Sequence, residues 1–205
     1  MAVLPMFPLG TVLLPHMVLP LHVFEPRYRT MMEDVLAVDG RFGVVLIARG
    51  HEVGGGDERT DLGCVARVLR AEQVEDGRWL VISVGTDRFR VARWLADDPY
   101  PRAEIEPIDE PDGQEHLSGL HDALTHRVRA VLALQAEVGE DVVPPTFDAA
   151  EDPTVACWQL AVLAPLTPLD AQQVLATGDC RRRLELLGEL LDGVEETLRF
   201  RLQHG

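Results

Sequence analysis

The chain has 205 residues, 46% apolar and 26% charged, with a mean hydropathy of +0.01, the profile of a folded protein long enough for one large domain or two compact lobes. A net charge of -15 opposes polyanionic partners, so neither nucleic acid nor an anionic membrane is an expected partner. All 19 basic residues are Arg, and without a single Lys a Walker A loop, a Ser-Lys dyad and a Schiff-base amine are excluded in their usual form.

The first half reads as β structure. From Val3 to Phe24 short apolar runs alternate with Pro5, Pro8, Gly10, Pro15 and Pro20, which predicts short, bent strands whose prolines sit at edges, starts or bulges. The same prolines, with His16 and His22, break residues 12–24 too often for a membrane span, and no basic leader precedes them, so no signal peptide is expected. Pro26 suits the first position of a helix and Glu25 its positive end. Tyr28, Met31, Met32, Val35 and Leu36 then recur on one helical stripe until Gly40. Residues 42–47 are a continuous apolar run, expected as a buried strand that ends at the glycine-rich stretch 50–56. Residues 64–68, 79–84 and 88–95 are predicted as three further strands bounded by Gly or Asp turns. Phe89 and Val91 alternate with Arg88 and Arg90, and Ala103 and Ile105 with Glu104 and Glu106, each pair setting a packed face against a wet one. Several short strands with one helix among them predict a small barrel-like sheet.

The character changes at residues 109–114, rich in Pro, Gly and acid, which are expected to link a β-rich lobe, residues 1–110, to a helical lobe, residues 111–205. Leu117, Leu120, Leu124, Val128, Val131, Leu134 and Val138 keep helical spacing. A long acidic loop, 140–152, follows. Asp152 with Pro153, and Thr167 with Pro168, are cap and first-turn signals for two more helices. Asp179 caps the last, which carries Leu184, Leu187, Leu191, Val194 and Leu198 at heptad spacing.

No catalytic constellation emerges. His116, His121 and His126 are five apart, so they point to different faces of a helix and are read as solvated; His16, His22 and His51 have no carboxylate or Cys at ligand spacing. No metal or other cofactor is expected. Ser83 and Ser118 are the only serines and neither lies in a nucleophile elbow. Cys64, Cys157 and Cys180 are odd in number and far apart, without a CxxC pair or a neighbouring His motif, which fits buried thiols in a reducing cytoplasm. The run Arg181, Arg182, Arg183 reads as a solvated turn. Met6, Phe7, Met17, Met31 and Met32 crowd the first 32 residues, where flexible thioethers suit either a core or a surface that accepts varied apolar partners. The loop 50–56 has three consecutive glycines but no GxGxxG and no Lys, so it reads as a hairpin loop, with closure over a small ligand as the alternative.

Leu4-Pro5-Met6-Phe7-Pro8-Leu9-Gly10, then Leu14-Pro15, Leu19-Pro20-Leu21 and Phe24-Glu25-Pro26-Arg27-Tyr28, resemble the opening of the N-terminal substrate-binding domain of Lon proteases. Glu52-Val53-Gly54-Gly55, Gly63-Cys64-Val65-Ala66 and Gly85-Thr86-Asp87-Arg88-Phe89 continue the resemblance in order, and the leucine-rich helices resemble the second lobe. It implies an α+β fold, a PUA-like pseudo-barrel followed by a helical bundle. It also implies a stand-alone, non-catalytic module, since the chain stops where an ATPase and a peptidase would follow. The expected partners are peptide segments or unfolded polypeptide clients, with a protease or chaperone as associate. On this reading Phe7, His22, Phe24, Tyr28 and Arg88 line an apolar cleft between the lobes, with Glu25 and Arg27 as polar anchors; the alternative is that Phe24 to Tyr28 only staple the helix to the barrel.

Overall fold

The computed structural model describes residues 2–49, 58–110 and 117–204. Six strands and five helices follow in chain order: β1 (Ala2–Leu9), β2 (Val18–Val23), α1 (Pro26–Val38), β3 (Arg41–Arg49), β4 (Glu58–Gln73), β5 (Trp79–Trp94), β6 (Arg102–Ile108), α2 (Ser118–Glu137), α3 (Pro153–Leu163), α4 (Pro168–Ala176) and α5 (Cys180–His204). The chain divides into two compact units, Met1–Asp109 and Glu110–Gly205. The fold is thus α+β, a β-rich unit followed by a helical one.

In the β unit the sheet runs β2-β5-β4-β3-β1-β6, and β6 pairs with β5 as well, so five strands close on themselves and β2 is left at the margin. β1 shows how prolines enter such a ring. Its first half, Ala2 to Pro5, pairs with β6, and its second half, Met6 to Leu9, pairs with β3, so each half has one ladder partner and the missing N–H of Pro5 or Pro8 need face no acceptor. Met6, Val45, Val65, Phe89, Val91, Ala103 and Ile105 fill the interior.

Three local expectations give way here. Residues 79–84 and 88–95 belong to one 16-residue strand, β5, because Gly85 is a close approach rather than a turn: a Cβ there would stand 2.1 Å from the Leu14 carbonyl oxygen. The ladder with β4 shifts register between Cys64 and Ala66, opposite this point, which breaks the expected alternation, and Arg88 is buried at 2% exposure instead of lying on a wet face. In α1 the buried stripe is Tyr28, Met31, Met32 and Val35, while Leu36 is exposed. Met6, Met31 and Met32 are fully buried and build the core, whereas Met17 is half-buried.

In the helical unit one core gathers Leu124, Val128 and Val131 of α2, Leu160 of α3, and Leu184, Leu187, Leu191 and Leu198 of α5. The caps fall where the sequence puts them: Asp152 accepts from the backbone N–H of Thr154 and Val155, Thr167 from that of Asp170, and Asp179 from that of Arg182. Arg127 locks α2 to α5, donating to the Gly188 carbonyl at 2.8 Å and pairing with Glu195 and Asp192. Two expected solvated groups are buried instead. His121 lies on the packed side of α2, and Arg183 is wholly enclosed, its guanidinium 3.6 Å over the Trp158 ring and paired with Glu110 at 3.1 Å. Among the described residues no helix is long and apolar enough to cross a membrane.

Candidate functional site

The seven residues singled out from the sequence separate into three groups. Phe7 and Tyr28 are both buried and stack face to face at 4.2 Å, joining β1 to α1, and Arg27 covers the outer face of Tyr28 at 4.5 Å while holding Glu25 at 3.2 Å. Glu25 occupies the cap position, yet its side chain makes no capping hydrogen bond. These four residues form a staple, with Phe7 and Tyr28 taken up in packing β1 against α1. Arg88 is enclosed in β5 and likewise lines no open surface. His22 and Phe24 form the third group. Both are exposed, their rings are 6.1 Å apart, and they lie at the end of β2.

That end of β2 borders an apolar face that the motif search missed. β2 pairs with β5 in the register Val18 with Val84, Pro20 with Ile82 and His22 with Leu80, and β5 pairs with β4 so that Ile82 meets Arg70 and Leu80 meets Glu72. Alternation sends Leu19, Val23, Val81 and Ser83 inward, where the Ser83 hydroxyl donates to the Leu19 carbonyl at 3.1 Å. It leaves Val18, Leu80 and Ile82 turned to solvent at 56%, 47% and 41% exposure. The face carries a groove of about 430 Å³ lined by Pro20, Leu21, His22, Arg70, Leu80 and Ile82, and next to it one of about 480 Å³ lined by His22, Val74, Asp76, Arg78 and Leu80. His22 and Leu80 border both. Arg70 and Glu72 pair at 3.2 Å on one rim, and on the other Arg78 hydrogen-bonds to Asp76 and holds its carboxyl below the usual range.

One property suits this face to holding an extended chain. Among the described strands β2 pairs with β5 alone, which leaves its outer edge without a strand partner. Pro20 stands in that strand, where an edge position tolerates its missing N–H, so this residue offers an added strand only its carbonyl. The signal was present in the sequence: residues 80–84 read Leu-Val-Ile-Ser-Val, and with the serine inward the whole outward row is aliphatic. Among the described residues no group of His, Cys, Asp and Glu is arranged to hold a metal ion. The loop 50–56, on which closure over a small ligand was weighed, lies outside the described residues, as do His51, His116 and residues 111–114 of the expected linker.

The family model described as the ATP-dependent protease La (LON) substrate-binding domain matches residues 3–193. Lon protease of Trichlorobacter lovleyi is 29% identical over 208 residues, covering 98% of this chain and 25% of that protein; Lon protease 2 of Herpetosiphon aurantiacus is 33% identical over 199 residues, covering 96% and 23%. The chain therefore spans about a quarter of the length of these curated relatives. Among solved structures, a Lon N-terminal domain protein from Xanthomonas campestris superposes with a TM-score of 0.70 at 29% identity, covering 91% of this chain and 97% of that one. The N-terminal domain of the Lon protease of the Mycobacterium avium complex gives 0.68 at 18% identity, covering 93% and 98%, a likeness of fold.

Proposed function

Because the chain belongs to the ATP-dependent protease La (LON) substrate-binding domain family, we propose that it is a non-catalytic binding module that holds extended apolar segments of polypeptide clients on the outer face of β2, β5 and β4. One observation carries this reading: Val18, Pro20, Leu80 and Ile82 form an exposed apolar row beside a strand edge that no described strand covers. A client strand laid along β2 gains main-chain hydrogen bonds that do not depend on its sequence, while alternate side chains lie over the aliphatic row. His22 and Phe24 extend the row at its end, and Arg70 and Glu72 give it a polar rim. Glu25, Arg27, Phe7 and Tyr28 act one step removed, by fixing the helix that follows β2 to the barrel. The clients are unfolded or extended chains, and a cytoplasmic protease or chaperone is their receiver. A lysine-free chain with two serines lends itself to holding such clients rather than cleaving them.

The test is affinity for an unfolded, casein-like polypeptide measured by fluorescence anisotropy. Leu80→Glu and Ile82→Glu each place a charge in the row and should weaken binding by about 1 to 3 kcal/mol, the range of an interface anchor. Both positions are exposed, so the melting temperature should hold, with stability changing by about 0.5 kcal/mol or less. Unchanged affinity in both variants would remove the assignment of this face.

A further inference from the structure

The helical unit encloses a polar thiol cluster for which client binding has no use. Cys157 of α3 and Cys180 at the start of α5 are 1% and 0% exposed. The Cys157 Sγ lies 3.7 Å from Arg183 Nη1 and 3.8 Å from the Cys180 carbonyl oxygen. The Cys180 Sγ is 3.8 Å from His121 Nε2 and 3.8 Å from the Pro153 carbonyl oxygen. His121 Nδ1 is 3.1 Å from the Leu117 carbonyl oxygen, which can only accept, so Nδ1 carries the hydrogen and Nε2 turns its lone pair to the thiol. The groups are therefore ordered guanidinium, Cys157, Cys180, imidazole. A cation beside one sulfur and a base beside the other distinguish an attacking thiolate from a resolving thiol.

We propose that Cys157 and Cys180 are a peroxide-responsive pair, Cys157 taking the oxygen and Cys180 closing a disulfide that ties α3 to the start of α5. The Cys157 thiolate attacks hydrogen peroxide: an S–O bond forms, the O–O bond breaks and hydroxide leaves, giving a sulfenic acid. The Cys180 thiol then passes its proton to His121 Nε2 and its sulfur attacks that of Cys157. The S–S bond forms, the S–O bond breaks, and the departing hydroxide recovers the proton from the imidazolium and leaves as water. Two thiols are oxidised by two electrons and one peroxide is reduced to two waters, counting the proton that the first hydroxide takes up. The hydrogen bond from Cys180, with the Arg183 charge beside it, holds the Cys157 thiol below its ordinary value, and the same hydrogen bond, with burial, pushes Cys180 up. Cys64 is the internal contrast: burial inside the barrel pushes its thiol far up, and no thiol partner adjoins it among the described cysteines.

The full chain is titrated with hydrogen peroxide, its free thiols are blocked, and the digest is mapped by mass spectrometry. A linked peptide joining Cys157 to Cys180 should accumulate roughly tenfold faster than any oxidation of Cys64. Oxidation of Cys64 at an equal or greater rate, or sulfinic acid at Cys157 without the linked peptide, overturns the proposal. In Cys180→Ser the linked peptide should vanish and dimedone should capture Cys157; equal capture of Cys180 in Cys157→Ser would overturn the division of roles. Should either variant fail to fold, mapping of the unaltered chain decides by itself.

Discussion

Tyr28 and Phe24 stand four residues apart in one motif and meet opposite environments. Tyr28 is 3% exposed and stacked on Phe7, so Tyr28→Ala leaves a cavity and should cost about 3 to 5 kcal/mol, seen as a sharp fall in melting temperature. Phe24 is 52% exposed, and Phe24→Ala should change stability by about 0.5 kcal/mol or less in the same measurement. A second residue-scale expectation concerns Tyr100, buried with its hydroxyl donating to Asp34 at 2.7 Å. Burial, then the Asp34 hydrogen bond and charge, push its pKa up to about 12 from 10. Since the folded form keeps its proton to higher pH, the stabilisation is complete below pH ~10 and is lost as pH rises through about 12. Between those values the stability of the natural chain should fall more steeply than that of Tyr100→Phe, by on the order of 2 kcal/mol in total, measured by denaturant melts across the range. The tyrosine and its carboxylate are 66 residues apart, and nothing in the local sequence announces the pair.

Helices were legible at the scale of the element because their signals are local. A cap needs one side chain and the N–H two or three residues on, and Asp152 supplies both bonds at 2.8 and 3.0 Å. Asp152→Ala should therefore cost about 1 kcal/mol by thermal melting, and Asp152→Asn far less, since the amide oxygen still accepts. Strands were less legible. Gly85 reads as a turn in isolation and as a point of close contact once Leu14 is placed against it, so two predicted strands proved to be one. The residues 80–84 show the same limit from the other side. Their alternation marks two faces, but only pairing with β2 decides that the serine goes inward and the aliphatic row outward.

Over the whole molecule, each of the two units has a buried core of its own: Met6, Phe89 and their neighbours in one, and the leucines of α2, α3 and α5 in the other. Residues 1–109 expressed alone should therefore fold, with a cooperative melt and dispersed amide resonances; a collapsed state without either would show that the β unit depends on the rest of the chain. The sequence by itself determined the order of elements, the change from strands to helices near residue 109, the helix starts and the family resemblance, because each rests on periodicity, caps or short motifs within a few turns of chain. Tertiary structure alone decided which half of the Phe24 to Tyr28 motif stays accessible, that Arg88, His121 and Arg183 are enclosed, and that Cys157 meets Cys180 across 23 residues. These are matters of long-range pairing: whether a side chain is buried, and what it faces, is fixed by segments remote in sequence, which local patterns do not encode.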